Sequence, residues 1–150
     1  KGPSADEFFA AFGNALATGN GSLLPNALGK NAGWGFGWDD VWVYKIGVDY
    51  AFNSNWTLRA GFNYAEVPFD DDQALFNVLA PAVVEKHVTA GFTYSPSQNS
   101  EVTVAYMHAF RNSVDNTYMG TVPGVPTPLS IGAKNDMYQN SIEASYAWKF

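Results

Sequence analysis

From Trp42 onward, apolar and polar residues alternate with a period of two, the repeat of a β-strand. The even positions run Trp42, Tyr44, Ile46, Val48, Tyr50 and Phe52, while Lys45, Gly47 and Asp49 fall between them. Asn53-Ser54-Asn55 supplies turn residues. The pattern then resumes, with Trp56, Leu58, Ala60, Phe62 and Tyr64 on one face and Thr57, Arg59, Gly61 and Asn63 on the other. After a longer connection it returns twice more, over 84–94 and 101–110, around a Ser/Pro/Asn turn at 95–100. A Gly/Pro-rich stretch, Arg111–Asp136, reads as a long loop. The last alternation sets Tyr138, Ile142, Ala144, Tyr146, Trp148 and Phe150 against Gln139, Ser141, Glu143 and Lys149. The pattern predicts five strands of roughly ten residues over 41–150, joined short, long, short, long.

Residues 1–40 follow another rule. Ser4-Ala5-Asp6-Glu7 has the spacing of a capping box, and Phe8, Phe12 and Leu16 follow at helical intervals. Gly19 is a stop signal. A short amphipathic helix over 4–18 is expected, then an irregular loop from Gly19 to Gly37.

Aromatic residues make up 16% of the chain and gather near strand ends, as Tyr50, Phe52 and Trp56 do around the first turn. No apolar run approaches the ~18–20 residues of a spanning helix. Alternating strands, short turns on one side, long loops on the other and aromatic girdles are the marks of an outer-membrane β-barrel. Its apolar face meets lipid and its polar face meets a wet lumen. A soluble β-sandwich also alternates, but its apolar face is a core, usually rich in Val, Ile and Leu. The aromatic bias favours the barrel, with Lys86 and His108 as interfacial breaks in the lipid face that reach toward lipopolysaccharide phosphates.

Charge and composition narrow the function. Charged residues are 15% and the formal net charge is -6, without the clustered Lys/Arg of a nucleic-acid binder. There is no cysteine, so disulfides and thiolate chemistry are excluded. No nucleophile–base pair, carboxylate pair or phosphate loop is present, so no catalytic residue is assigned and an enzyme is not expected. No metal or cofactor is implied; Asp70-Asp71-Asp72 reads as a solvated acidic tip rather than a Ca²⁺ loop. The start at Lys1 suggests a mature protein or a fragment.

The chain resembles the FadL family of outer-membrane transporters. The resemblance is carried by Gly33–Asp40, Val43–Gly47, Trp56–Tyr64, Leu75–Glu85, Val104–Phe110, and Met137–Asn140 with Tyr146–Phe150. It implies a fourteen-stranded barrel with an N-terminal plug that passes long-chain fatty acids or other hydrophobic compounds into the cell. On that footing the chain is an all-β, antiparallel transmembrane β-barrel segment: the last five strands of a larger barrel, with one short helix in an N-terminal outer loop (residues 1–40). Passive diffusion through an outer-membrane channel is the expected function; a structural or adhesion barrel is the alternative. The implied partners are hydrophobic small molecules, outer-membrane lipid and lipopolysaccharide, the barrel-assembly machinery, and the remaining strands and plug.

Candidate residues follow from parity. Lys45, Asp49, Arg59, Asn63, Glu85, His87, Met107 and Glu143 fall on the lumen face. If Phe52 pairs with Trp56 across the first turn, then Asp49 faces Arg59, Gly47 faces Gly61 and Lys45 faces Asn63. Lys45 and Arg59 then offer cations to a carboxylate, or Asp49 and Arg59 simply tie the wall together. Phe8, Phe12 and Leu16 are candidate outer-loop hydrophobic contacts for substrate. Tyr146, Trp148 and the terminal Phe150 form a candidate assembly signal, since an exposed strand edge can add to another sheet.

Overall fold

The computed structural model describes residues 3–23, 35–120, 127 and 129–150. The expected loop over 19–37 lies largely outside these residues; its described start carries one 3₁₀ turn, Gly21–Leu23. Contacts divide the chain into two compact units. One holds Trp42–Glu66, Val84–Asn112 and Met137–Phe150, the other Lys1–Val41, Val67–Val83 and Ser113–Asp136. The boundary expected at residue 40 thus describes the chain in sequence, whereas the second unit gathers three separated stretches.

The first unit is strand wall. β1 (Val43–Ala51), β2 (Trp56–Ala65), β3 (Lys86–Ser97), β4 (Ser100–Gly120) and β5 (Leu129–Trp148) form one sheet in the order β1-β2-β3-β4-β5. The chain is an all-β antiparallel sheet with one short α-helix, and no helix among the described residues is long and apolar enough to cross a membrane. The register is the one expected: Asp49 faces Arg59, Gly47 faces Gly61 and Lys45 faces Asn63. It is fixed at the turn. Asn53 Oδ1 accepts from the backbone N–H groups of Asn55 and Trp56, both at 2.9 Å, closing an Asx turn that brings Phe52 N–H to Trp56 C=O. Asn55 then clips the turn to β3, its Nδ2 donating to Ser95 C=O at 2.7 Å.

On the even-numbered face, register stacks side chains in five rows. From one end they are Tyr44–Tyr64–Lys86, Ile46–Phe62–Val88–His108, Val48–Ala60–Ala90–Tyr106, Tyr50–Leu58–Phe92–Val104, and Trp56–Tyr94–Val102. Aromatics close both ends: Tyr44 stacks on Tyr64 at 6.4 Å, and Trp56 meets Tyr94 at 4.6 Å and Phe92 at 5.4 Å. Smaller aliphatics fill the middle. Among the described residues no second sheet covers this face, and Ile46, Val48, Tyr50, Leu58, Phe62 and Ile142 are exposed.

Two expectations are corrected. Arg111–Asp136 is not a long loop, because β4 continues to Gly120 and β5 begins at Leu129. Consequently β4 and β5 have 21 and 20 residues rather than roughly ten. Beyond Phe110 the apolar alternation stops while the strands continue, so a period-two pattern does not register them.

The second unit contains the stretches of β4 and β5 that fall within Ser113–Asp136, together with the N-terminal helix. α1 (Ala5–Thr18) begins at the capping box: Ser4 Oγ accepts from Glu7 N–H, and Glu7 Oε2 accepts from Ser4 N–H. It ends at Gly19, whose φ of 64° is the left-handed conformation that a glycine takes without strain. The core here is Tyr118 and Ala133, with Phe9, Leu75 and Phe76 packed against them. Tyr118 is 2% exposed; its Oη accepts from Leu75 N–H at 2.8 Å and donates to Asp71 C=O at 3.2 Å. Asn77 is a second anchor. Its Oδ1 accepts from Trp38 Nε1–H at 2.7 Å, and its Nδ2 donates to the carbonyls of Phe36 and Gln73. Gly37, at φ 65°, lies so close to Gln73 that a Cβ there would collide with that side chain.

Candidate lumen site

The odd-numbered face of the wall is polar, and register sets its residues in rows as well. Lys45, Asn63 and His87 share one row; Gly47, Gly61, Thr89 and Met107 the next; Asp49, Arg59, Gly91 and Ala105 the third. A fourth row holds Thr57, Thr93 and Thr103.

The second row is hollow because glycines lack side chains. Above it lies a concave groove of about 520 Å³, lined by Lys45, Gly47, Gly61, Asn63, His87, Thr89 and Met107, with Ile46 and Phe62 contributing to its walls. That volume is in the ~300–1,000 Å³ range of small-molecule sites. At Gly61 a Cβ would sit 2.6 Å from Thr89 Oγ1, so the threonine side chain would have to move to admit one. At Gly47 nothing crowds the position, the nearest atom being Ala60 O at 3.7 Å, so the space above it is open.

Four of the eight parity-assigned lumen residues, Lys45, Asn63, His87 and Met107, meet at this groove. Asn63 Nδ2 lies 3.2 Å from His87 Nδ1, and Asn63 Oδ1 is enclosed without a hydrogen-bond partner. Lys45 is exposed and makes no ion pair among the described residues.

Asp49 and Arg59 do something else. Arg59 Nε donates to Asp49 Oδ2 at 2.8 Å, and Arg59 Nη1 donates to Thr93 Oγ1 at 2.6 Å. Thr93 Oγ1 in turn lies 2.8 Å from Thr103 Oγ1. This chain of contacts crosses four strands and neutralises the guanidinium. Of the two remaining assignments, Glu143 is exposed on β5 and Glu85 is half-buried just before β3; neither lines the groove. Lys86 is exposed on the even face, whereas His108 Nδ1 and Tyr106 Oη both approach Asn140 Oδ1, at 2.8 and 2.7 Å. No group of three His, Asp or Glu side chains among the described residues is placed to hold a metal ion.

In the other unit, Phe8 is half-buried, edge-on to Phe76 at 5.7 Å, while Phe12 and Leu16 are 43% and 59% exposed. Phe9, which helical spacing from Phe8 did not single out, supplies the packing instead. At the C-terminus Tyr146 and Trp148 are exposed, and Trp148 meets Phe150 at 5.3 Å just past the end of β5. The signal for the groove itself was legible in two glycines directly opposed by the register.

An uncovered apolar face bounded by aromatic belts, opposite a polar face with a groove, defines a segment of transmembrane β-barrel wall. The chain belongs to the outer membrane protein transport protein family (OMPP1/FadL/TodX), whose family model matches residues 24–148. It is 28% identical over 74 residues to a long-chain fatty acid transport protein of Escherichia coli O6:H1, covering 48% of this chain and 16% of that relative. It also resembles the crystal structure of the P. putida toluene transporter TodX, with a TM-score of 0.52 and 26% identity, over 75% of this chain and 22% of that one. The chain therefore spans about a fifth or less of the length of these relatives.

Proposed function

We propose that this chain forms part of the wall of an outer-membrane channel that passes hydrophobic compounds, long-chain fatty acids or hydrocarbons, by passive diffusion. The observation that carries the reading is the pairing of two faces in one sheet: an aromatic-belted face open to lipid and a polar face hollowed at Gly47 and Gly61. Membership of the transport family supports it, as do the similarity to a fatty acid transporter and to a toluene transporter. Five strands are too few to close a barrel, since the smallest have about eight, so further strands and a plug complete the channel. The even face contacts outer-membrane lipid and lipopolysaccharide. Phe12 and Leu16, with the edge of Phe8, offer hydrophobic substrates a first contact surface. Tyr146, Trp148 and Phe150 act as the signal read by the barrel-assembly machinery.

The test is uptake of radiolabelled oleate and of toluene by cells lacking the full-length gene, with and without its restoration. Transport requires that restoration raise uptake of at least one compound. Unchanged uptake of both removes the transport reading and favours a structural or adhesion barrel.

A further inference from the structure

Exposed residues on the even-numbered face are mostly apolar, Ile46, Val48, Phe62 and Ile142 among them. One patch breaks the rule, on the adjoining strands β3, β4 and β5. Tyr106 Oη donates to Asn140 Oδ1 at 2.7 Å, and His108 Nδ1 lies 2.8 Å from the same oxygen. An amide oxygen only accepts, so His108 carries a proton on Nδ1. Asn140 is exposed, and its Nδ2 donates to no partner among the described residues. Lys86 stands in the end row, one row beyond His108; it is exposed and makes no ion pair among the described residues. The carboxylates within 86–112 and 137–148 are Glu101 and Glu143. Both fall at odd positions, and Glu101 lies 3.9 Å from Lys149 at the other end of the wall. On the β2 side, Glu66 and Glu85 border Tyr64 without pairing with Lys86.

Hydrocarbon satisfies none of these groups. A lipid tail offers no acceptor to an amide N–H and no counter-charge to an ammonium, and leaving either unmet is costly. Polar and ionisable side chains on a membrane face are therefore pointers to function. The two levels of the patch require different partners. Lys86, beside a long connection of the outer side, requires an anion at headgroup depth. Asn140, at the level of His108 and about 5 Å deeper along the membrane normal, requires a neutral acceptor. A phosphorylated, acylated sugar presents both, phosphates at its head and carbonyls and hydroxyls at the roots of its acyl chains.

We propose that this patch is a binding site for lipid A, the phosphorylated acyl-glucosamine end of lipopolysaccharide. Lys86 Nζ donates to a phosphate, and Asn140 Nδ2 donates to an acyl carbonyl or hydroxyl below it. The contacts of Tyr106 and His108 with the amide oxygen leave the amide nitrogen as the end that binds. The site rests on the placement of the even face in the outer membrane, not on transport, and adds to that placement a defined position and a preference for lipid A over glycerophospholipid.

The intact barrel, purified in detergent from the outer-membrane fraction, is titrated with lipid A, with lipid A stripped of its phosphates and with phosphatidylglycerol, and binding is read by native mass spectrometry. Lipid A is expected to bind more tightly than phosphatidylglycerol. Loss of one charge-assisted hydrogen bond corresponds to about a tenfold effect, so Lys86→Met is expected to weaken lipid A about tenfold and the phosphate-free form less than about twofold. Lys86→Arg is expected to retain lipid A binding, and Asn140→Leu to weaken both forms. Heat-modifiable migration on gels checks that each variant is folded. Unchanged lipid A binding in either Lys86→Met or Asn140→Leu, equal loss of both forms in Lys86→Met, or equal affinity of the unaltered protein for lipid A and phosphatidylglycerol overturns the site and leaves the membrane placement and the transport reading standing. Recovery of the unaltered protein outside the outer-membrane fraction overturns the placement, and the site with it.

Discussion

Val48 is the sharpest test of which face meets lipid. It lies in the middle of the five even-face rows, directly opposite Ala60, and is 62% exposed. Successive rows are two residues apart, about 6.6 Å along a strand, or roughly 5 Å along the membrane normal at a tilt near 40°. Five rows then span about 20 Å, close to the ~25 Å apolar band of an outer-membrane barrel, and the central row falls at its midplane. An arginine there must place its guanidinium in hydrocarbon or bend it toward a headgroup. The expected cost of Val48→Arg is about 2–4 kcal/mol. Phe52, beside the turn at one end of the same strand, provides the control; Phe52→Arg lies at the interface and is expected to cost about 0–1 kcal/mol beyond its lost ring contacts. Both are measured by reversible denaturant unfolding of the intact barrel in lipid vesicles. If Val48→Arg costs no more than Phe52→Arg, the even face is not in the membrane.

Three further outcomes are expected. Asn77→Ala removes the acceptor of Trp38 Nε1–H and the donor to two carbonyls in a fully buried position, and is expected to destabilise the loop unit by about 2–4 kcal/mol, read by protease sensitivity and a red shift of Trp38 emission. Burial, the largest influence, pushes the Tyr118 phenol above its ordinary 10.0, outweighing the opposing hydrogen bond from Leu75 N–H. The neutral form is thus favoured in the folded state. The stability it contributes is complete below pH 10 and is lost as pH rises from there toward the raised value. Tyr118→Phe is expected to flatten that alkaline loss of protease resistance in the loop unit. Deleting Phe150 from the full-length protein is expected to lower its outer-membrane level and leave material in the periplasm, with little change in the stability of inserted molecules; normal insertion refutes its role as an assembly signal.

Much of this protein was decided within short windows of sequence. A period of two over 42–64 sufficed for strands, and Asn53 in the turn sufficed for register, because an Asx turn of fixed length leaves one pairing of Phe52 with Trp56. Register in turn determined that Gly47 faces Gly61, since every later pair follows from the first. Ser4, Glu7 and Gly19 marked the helix through hydrogen bonds made within a single turn of chain. What the sequence left open depended on contacts distant in the chain. Apolar alternation could not reveal that β4 and β5 run on to Gly120 and back from Leu129, because a strand without a continuous apolar face needs only its ladder and some burial, here of Tyr118 against Leu75. Parity placed Arg59 and Lys45 alike on the lumen face. Only the assembled sheet separated them, by drawing Arg59 into a contact chain with Asp49, Thr93 and Thr103 across four strands and leaving Lys45 at an open groove. A side chain's partner depends on which atoms three-dimensional packing brings within about 3 Å, and alternation along one strand carries no record of that.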